Sequence, residues 1–189
     1  QYNLDAAAIN DRFEGTDRMF IVVGEDGNEN LLKKNVILDA MNSFQRFIEA
    51  QPEVGGSVSL ADVIPQVNVS LHEGNPHYSE LGDDLNVNGM MLAILDQVSE
   101  PGDLTRYAED QFDNGSITLM FRDRQGETIR TAVARIKEFI AENPLAEGEW
   151  KLAGGIIGVT AAVNEIILSS QIEAIALALM VLALICTMV

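Results

Sequence analysis

The sequence contains little cysteine and few basic residues, and both shortages narrow its possible functions. Cys186 is the single cysteine among 189 residues, which excludes a disulfide framework or a thiolate metal cluster within the chain. Lys and Arg number 12 against 29 Asp and Glu, so the formal net charge is −17. A surface this acidic repels a phosphate backbone, and we therefore expect no nucleic-acid partner.

The sequence also lacks the usual patterns of a metal site. His72 and His77 are the two histidines, and the Gly and Pro between them prevent both from lying on one helical face. Asp26 opens a stretch that resembles the start of a calcium loop. Leu31, however, occupies the position where such a loop requires Gly. We therefore predict no metal site.

Adjacent carboxylates, which can divide acid and base roles, occur at residues 83–84 and 109–110. In a chain with 29 acidic residues such neighbours are expected by chance. No histidine has a recognisable nucleophile beside it in the sequence. We therefore predict no catalytic residue, no cofactor and no enzymatic activity.

The C-terminal segment is the most apolar part of the chain. Residues 159–189 contain neither Gly nor Pro, which predicts one long helix of roughly 46 Å. Its second half, residues 174–189, is sixteen residues long and carries no charge. A membrane span needs about 17 to 25 apolar residues. We therefore expect the beginning of a transmembrane helix that continues beyond the end of this sequence. The alternative is a helix buried in a protein core.

The residues before the apolar segment predict its orientation in the membrane, and the N-terminus predicts a longer parent protein. No Lys or Arg follows Lys151, and cytoplasmic flanks of membrane helices tend to be basic. We therefore expect residues 1–170 on the extracytoplasmic (periplasmic) side of the cell inner membrane, and the C-terminal helix in contact with membrane lipid. The chain begins with Gln1, without a signal-peptide pattern, so we expect a fragment of something longer.

Two strand–helix–strand patterns precede the apolar segment. Each combines a short apolar run, a stretch with apolar residues at helical spacing and a second short run. The first pattern comprises residues 19–24, 31–50 and 58–60, and the second comprises residues 116–122, 128–141 and 149–152. A further short helix is predicted over residues 89–98.

Two βαβ units predict an α+β fold, a ferredoxin-like split-βαβ domain in which helices cover one face of a mixed sheet. We assign this domain to residues 1–158 and the long helix to residues 159–189.

Three glycines separate the last predicted strand from the long helix. Gly154, Gly155 and Gly158 stand in a stretch that lacks the Lys and Ser/Thr of a phosphate-binding loop. Glycine can absorb backbone changes that a β-carbon obstructs, so these residues are a possible hinge between the domain and the membrane helix. The alternative is a turn where backbones pack closely.

Four segments together resemble one protein family. They are Phe-Glu-Gly-Thr-Asp-Arg-Met-Phe-Ile-Val-Val at residues 13–23, the amphipathic helix that ends at Glu53-Val54, Val-Ser-Leu-Ala-Asp at residues 58–62, and Ala-Gly-Gly at residues 153–155 before a long helix. In this order they resemble the resistance-nodulation-division (RND) exporter superfamily in its MmpL-like branch.

The resemblance implies the first extracytoplasmic porter domain of a proton-driven membrane exporter, handling lipid or other hydrophobic cargo. The domain would contact the rest of the same transporter chain, and we expect a homo-oligomer at full length. The family's proton-relay carboxylates lie in later membrane helices, so no coupling residue is carried over. The alternatives are a membrane-anchored extracytoplasmic sensor or ligand-binding adaptor and, with least support, an extracytoplasmic enzyme.

Overall fold

The computed structural model describes most of the chain up to residue 155 and part of the segment that follows. The described residues are 15, 17–81, 85–100, 102–123, 125–155, 159, 163, 166, 167 and 170–180.

The described chain folds into an α+β domain with one sheet. The strands are β1 (Asp17–Gly24), β2 (Val54–Val58), β3 (Asn114–Phe121) and β4 (Glu149–Ala153). The helices are α1 (Asn35–Glu49), α2 (Leu60–Leu71), α3 (Leu85–Val98) and α4 (Gly126–Glu142), and short 3-10 helices lie at Leu31–Lys33, Pro76–Tyr78 and Leu104–Arg106.

The four strands form a sheet in the order β2-β3-β1-β4, and every neighbouring pair is antiparallel. The expectation of a mixed sheet was therefore wrong. β1 and β2, which α1 connects, run parallel to each other, but β3 lies between them. In the same way β1 lies between the parallel strands β3 and β4. The two parallel strands of each strand–helix–strand unit are therefore not neighbours in the sheet. A strand of the other unit lies between them and pairs with both in antiparallel orientation.

Alternation along the strands places the core on one face of the sheet. Met19, Ile21 and Val23 of β1 are buried, and the register pairs Ile21 with Ile117 of β3. Because successive side chains of a strand point to opposite faces, these residues share one face. α1 and α4 contribute to the same core through Phe44, Ile48, Ile129 and Ile136.

The predicted strand at residues 58–60 was wrong. β2 ends at Val58, Ser59 is the N-cap of α2, and Leu60 is its first residue. The Ser59 side chain accepts a hydrogen bond from the Ala61 N–H, and Asp62 completes a capping box. This cap begins a helix where the apolar run suggests a strand. Helix α2, which contains Pro65, was not predicted.

The C-terminal segment is described only in part. Residues 170–180 are helical, and all of them are exposed. Among the residues that the structure describes, no helix is both long enough and apolar enough to cross a membrane. The predicted transmembrane helix extends over residues 181–189, which lie outside the described residues.

Candidate functional site

The predicted hinge glycines occupy the point where the chain leaves β4. Gly155 has a φ of +88°, a left-handed conformation that favours glycine. A β-carbon on Gly155 would lie 2.8 Å from the backbone oxygen of Arg18 and 3.2 Å from Cδ2 of Phe20. This close approach to β1 excludes any side chain at Gly155 unless the backbone moves.

Gly154 differs from its neighbour. Among the atoms of the described residues, a β-carbon on Gly154 would meet nothing within 4 Å. Its backbone oxygen accepts a hydrogen bond from the Phe20 N–H at 3.3 Å, which extends the pairing of β4 with β1 by one residue. Gly158 lies outside the described residues. The hinge therefore stays a prediction. Of Gly154 and Gly155, only Gly155 has a backbone conformation that favours glycine.

An open cleft of about 760 Å³, here called the polar cleft, lies between α1 and α2. One wall is a stripe of polar side chains on α1, which recur at helical spacing: Asn35, Asp39, Asn42 and Arg46. The remaining lining comes from α2 and the chain after it: Ala61, Asp62, Pro65, Gln66, Val69, Ser70, Ser79, Glu80 and Leu81.

A buried hydrogen-bond network fixes the two walls relative to each other. Gln45 of α1 is 3% exposed, and its Nε2 donates to Ser57 Oγ at 3.0 Å and to Asp62 Oδ2 at 2.6 Å. Ser59 Oγ donates to Gln45 Oε1 at 2.6 Å, and the Ser59 N–H donates to Asp62 Oδ2 at 2.8 Å. The capping box of α2 is thus tied to α1, which holds Asp62 in the cleft wall.

The network gives a first prediction. Ser59→Ala removes the N-cap of α2 and leaves the buried Oε1 of Gln45 without its donor, so we expect the free energy of unfolding to fall by about 1–2 kcal/mol. Urea unfolding followed by circular dichroism measures this loss. Ser43→Ala, at an exposed position of α1, is the control and should change it by less than about 0.5 kcal/mol. Equal values for the two variants would contradict the network's role.

The charges of the polar cleft favour a polar ligand with hydrogen-bond donors. Among the described lining residues, Asp39, Asp62 and Glu80 supply three carboxyl groups, and Arg46 supplies the single basic side chain. Apolar residues are the minority. A group that presents N–H or O–H donors fits this lining better than an alkyl chain does.

A second polar cluster joins the end of β1 to β3 and β4. Asn114 Nδ2 donates to Asp26 Oδ1 at 3.1 Å, and Lys151 Nζ lies 3.2 Å from the same oxygen. The hydrogen bond from Asn114, followed by that from Lys151, lowers the pKa of Asp26 below its ordinary value. The hydrogen bond that Lys151 Nζ donates to Asp26 raises the pKa of Lys151 above its ordinary value.

The lowered pKa of Asp26 predicts that the free energy of unfolding depends slightly on pH. Because the folded pKa of Asp26 is depressed, its stabilising contribution is present above the unfolded pKa and is lost as the pH falls through the folded value. Lys151→Gln should raise the pKa of Asp26 in a carboxyl NMR titration. Lys137→Gln, at an exposed position of α4, is the control and should leave it unchanged. An unaltered Asp26 titration in Lys151→Gln would contradict the pairing.

The two histidines lie on either side of the sequence from Gly74 to Pro76, and both rings contact Tyr78. His72 and His77 are exposed, and the His72 ring stacks on Tyr78 with the ring centroids 3.6 Å apart. Within the described part of the chain, no group of three or more His, Cys, Asp or Glu side chains is placed to hold a metal ion. The acids at residues 83–84 fall outside the described residues.

Comparison with known proteins adds no relative. No family model, no curated protein and no solved structure matches the chain, so the resemblance to the RND superfamily stays a prediction.

Proposed function

We propose that the chain is the extracytoplasmic porter domain of a proton-driven exporter of the RND superfamily, MmpL-like branch. The observation that carries the proposal is the combination of the sheet order β2-β3-β1-β4 with the exit of the chain from β4 into an apolar segment. A fold of two interleaved strand–helix–strand units in this order is what a ferredoxin-like split-βαβ domain requires. Helices α2 and α3 would then be an insertion between the two units.

The exposed C-terminal helix supports a membrane or transporter environment for this segment. Ile172, Ile175, Leu177 and Leu179 are each about 60% exposed. Apolar side chains exposed together on consecutive turns need apolar surroundings, because contiguous apolar surface in water is unfavourable. We propose that membrane lipid and the rest of the same transporter chain supply those surroundings in the cell inner membrane.

The lining of the polar cleft supports the proposal that the cargo molecule has a polar end. Asp39, Asp62 and Glu80 can accept hydrogen bonds from a head group, whereas an alkyl chain would find few apolar partners there. We propose that the exporter carries a lipid or similar amphipathic molecule. Its head group would occupy the polar cleft, and its apolar part would contact other regions of the transporter.

A second candidate function is a membrane-anchored sensor or ligand-binding adaptor. The polar cleft favours it, because a cleft of about 760 Å³ is large enough to bind a small water-soluble ligand without any transport. The complete reading frame separates the two candidates. About a dozen apolar segments and a second copy of this domain would favour the exporter, whereas a signalling module would favour the sensor.

The location of the domain is tested by cysteine labelling in spheroplasts that express the complete protein. Cys186 and any cysteine elsewhere in the complete protein are replaced by Ser, and Glu100→Cys places a new thiol at an exposed site. A membrane-impermeant maleimide should label Glu100→Cys in intact spheroplasts. Leu92→Cys, at a fully buried position, is the control and should react only after unfolding. Labelling of Glu100→Cys only after the membrane is permeabilised would reject the proposed location.

A further inference from the structure

The polar cleft carries charges of both signs, and they do not neutralise one another. Asp39, Asp62 and Glu80 line the cleft together with Arg46. Among the residues that the structure describes, Arg46 forms no ion pair, although three carboxyl groups share the cleft with it. A guanidinium group that no protein carboxylate neutralises can bind an anionic oxygen group of a ligand.

The spacing of residues along α1 separates the two kinds of charge. Asp39 and Arg46 are seven positions apart on the stripe that lines the cleft, which corresponds to about 10 Å along a helix axis. Asn42 lies between them, three residues from Asp39 and four from Arg46, so the three side chains share one helix face. Long side chains on a helix lean toward its N-terminus, so the Arg46 side chain can extend toward Asn42 and shorten this distance.

The opposite wall of the cleft adds a carboxyl group whose position is fixed. Asp62 accepts hydrogen bonds from Gln45 Nε2 at 2.6 Å and from the Ser59 N–H at 2.8 Å. Both contacts use Oδ2, and a carboxylate offers about four acceptor sites, so Asp62 retains acceptors for a ligand. Because Gln45 is buried, this network orients the carboxyl group before any ligand binds, as a binding site requires.

We infer that the polar cleft recognises a zwitterion, a small group that carries an ammonium group and an anionic oxygen group on one skeleton. The anionic oxygens would bind Arg46, and the ammonium group would donate hydrogen bonds to Asp39 and Asp62. A ligand with only a positive charge would leave Arg46 unused. A ligand with only a negative charge would meet three carboxyl groups, and facing like charges is unfavourable.

The zwitterion could be a lipid head group or a water-soluble molecule. The lipid source rests on the proposed export function, whereas a water-soluble zwitterion fits the sensor or adaptor. The recognition chemistry is the same in both cases, because only the two charged groups contact Asp39, Asp62 and Arg46.

The inference is tested by titrating the complete chain with glycerophosphoethanolamine and following backbone amides by NMR. The chain is held in micelles of an uncharged detergent at constant ionic strength, because a chain of net charge −17 attracts every cation weakly. We expect saturable shifts at residues 35–46 and 61–70, which carry the two walls of the cleft. The absence of a saturable shift at these residues would overturn the inference.

Two part-ligands show whether both charges are recognised. Ethanolamine carries the ammonium group alone, and glycerol phosphate carries the anionic group alone. Each should bind at least about tenfold more weakly than glycerophosphoethanolamine, because each lacks one charge-assisted contact. Equal binding of ethanolamine would overturn the inference in favour of general attraction of cations. Equal binding of glycerol phosphate would overturn it in favour of a simple anion site.

Substitutions assign each charge of the ligand to a side chain. Arg46→Gln should weaken the binding of glycerophosphoethanolamine about tenfold without weakening that of ethanolamine. Asp39→Asn should weaken the binding of both but not that of glycerol phosphate. Arg46 and Asp39 are exposed, so both variants should fold. Arg130→Gln and Asp96→Asn, at exposed positions outside the cleft lining, are the controls and should change nothing. Unchanged affinities in both cleft variants would overturn the inference.

Lysophosphatidylethanolamine, which places the same head group on an acyl chain in the micelle, distinguishes the two sources. Shifts of the cleft residues with both probes would support the inference and a lipid cargo. Shifts with glycerophosphoethanolamine alone would support zwitterion recognition and count against the lipid cargo. Failure of both probes would overturn the inference without deciding the export function, which deletion of the complete gene tests separately.

Discussion

Phe44→Ala is expected to lower the free energy of unfolding by about 3–5 kcal/mol. Phe44 is fully buried, and its ring centroid lies 5.3 Å from that of Phe139 and 5.3 Å from that of Trp150. The ring therefore joins α1, α4 and β4 in one aromatic cluster. Its removal leaves a cavity that these elements cannot close without moving, so the apolar contacts are lost as well.

Urea unfolding measures this loss, and fluorescence can follow it because Trp150 is the only tryptophan and contacts the altered site. Val36→Ala is the control on the same helix. Val36 is 62% exposed, so its truncation should change the free energy of unfolding by less than about 0.5 kcal/mol. A loss below about 1 kcal/mol in Phe44→Ala would contradict the described core.

Gly155→Ala has the second large expected effect, a loss of about 2–3 kcal/mol in the free energy of unfolding. The alanine would have to adopt a φ of +88° and place its β-carbon 2.8 Å from the Arg18 oxygen. Gly154→Ala is the matched control at the adjacent position. Its β-carbon would meet no atom of the described residues within 4 Å, so we expect a change of less than about 0.5 kcal/mol. Similar losses in the two variants would contradict the described junction.

The same pair of variants distinguishes a hinge from a packing turn in the proposed exporter. Gly155→Ala should destabilise the domain. Reduced export in that variant could therefore result either from the loss of stability or from a restricted hinge. Gly154→Ala keeps the packing and restricts only the backbone, so it is the more informative variant. Normal stability with impaired export would favour the hinge, and normal stability with normal export would favour a role in packing alone.

Some helices and strands could be predicted accurately from the sequence, and others could not. β1, α1, β3 and α4 have clear apolar periodicity, and the predictions overlap the observed elements closely. β2 was misplaced because Gly55 and Gly56 weaken its strand pattern. α2 was not predicted, although Ser59 and Asp62 form a capping-box pattern that indicates its start. Pro65 lies inside this helix, where proline is unfavourable, so local propensity alone does not favour it.

The sites could not be read from the sequence, because they depend on contacts between distant segments. The stripe of Asn35, Asp39 and Asn42 is visible as one helix face, but the wall opposite it belongs to a helix that was not predicted. Adjacent acids such as Glu109 and Asp110 are expected by chance in so acidic a sequence. The burial of Asp113 beside them cannot be predicted from the sequence, because it depends on the turn after β1, far away along the chain.

The most direct test of the proposed export function compares the lipids of two strains of the source organism. One strain lacks the complete gene, and the other carries the deletion together with a restored copy. Untargeted mass spectrometry of the inner-membrane fraction should show at least one lipid or amphipathic compound that accumulates in the deletion strain and returns to its normal level when the gene is restored. Inner-membrane profiles that do not differ between the two strains would contradict the proposed export function.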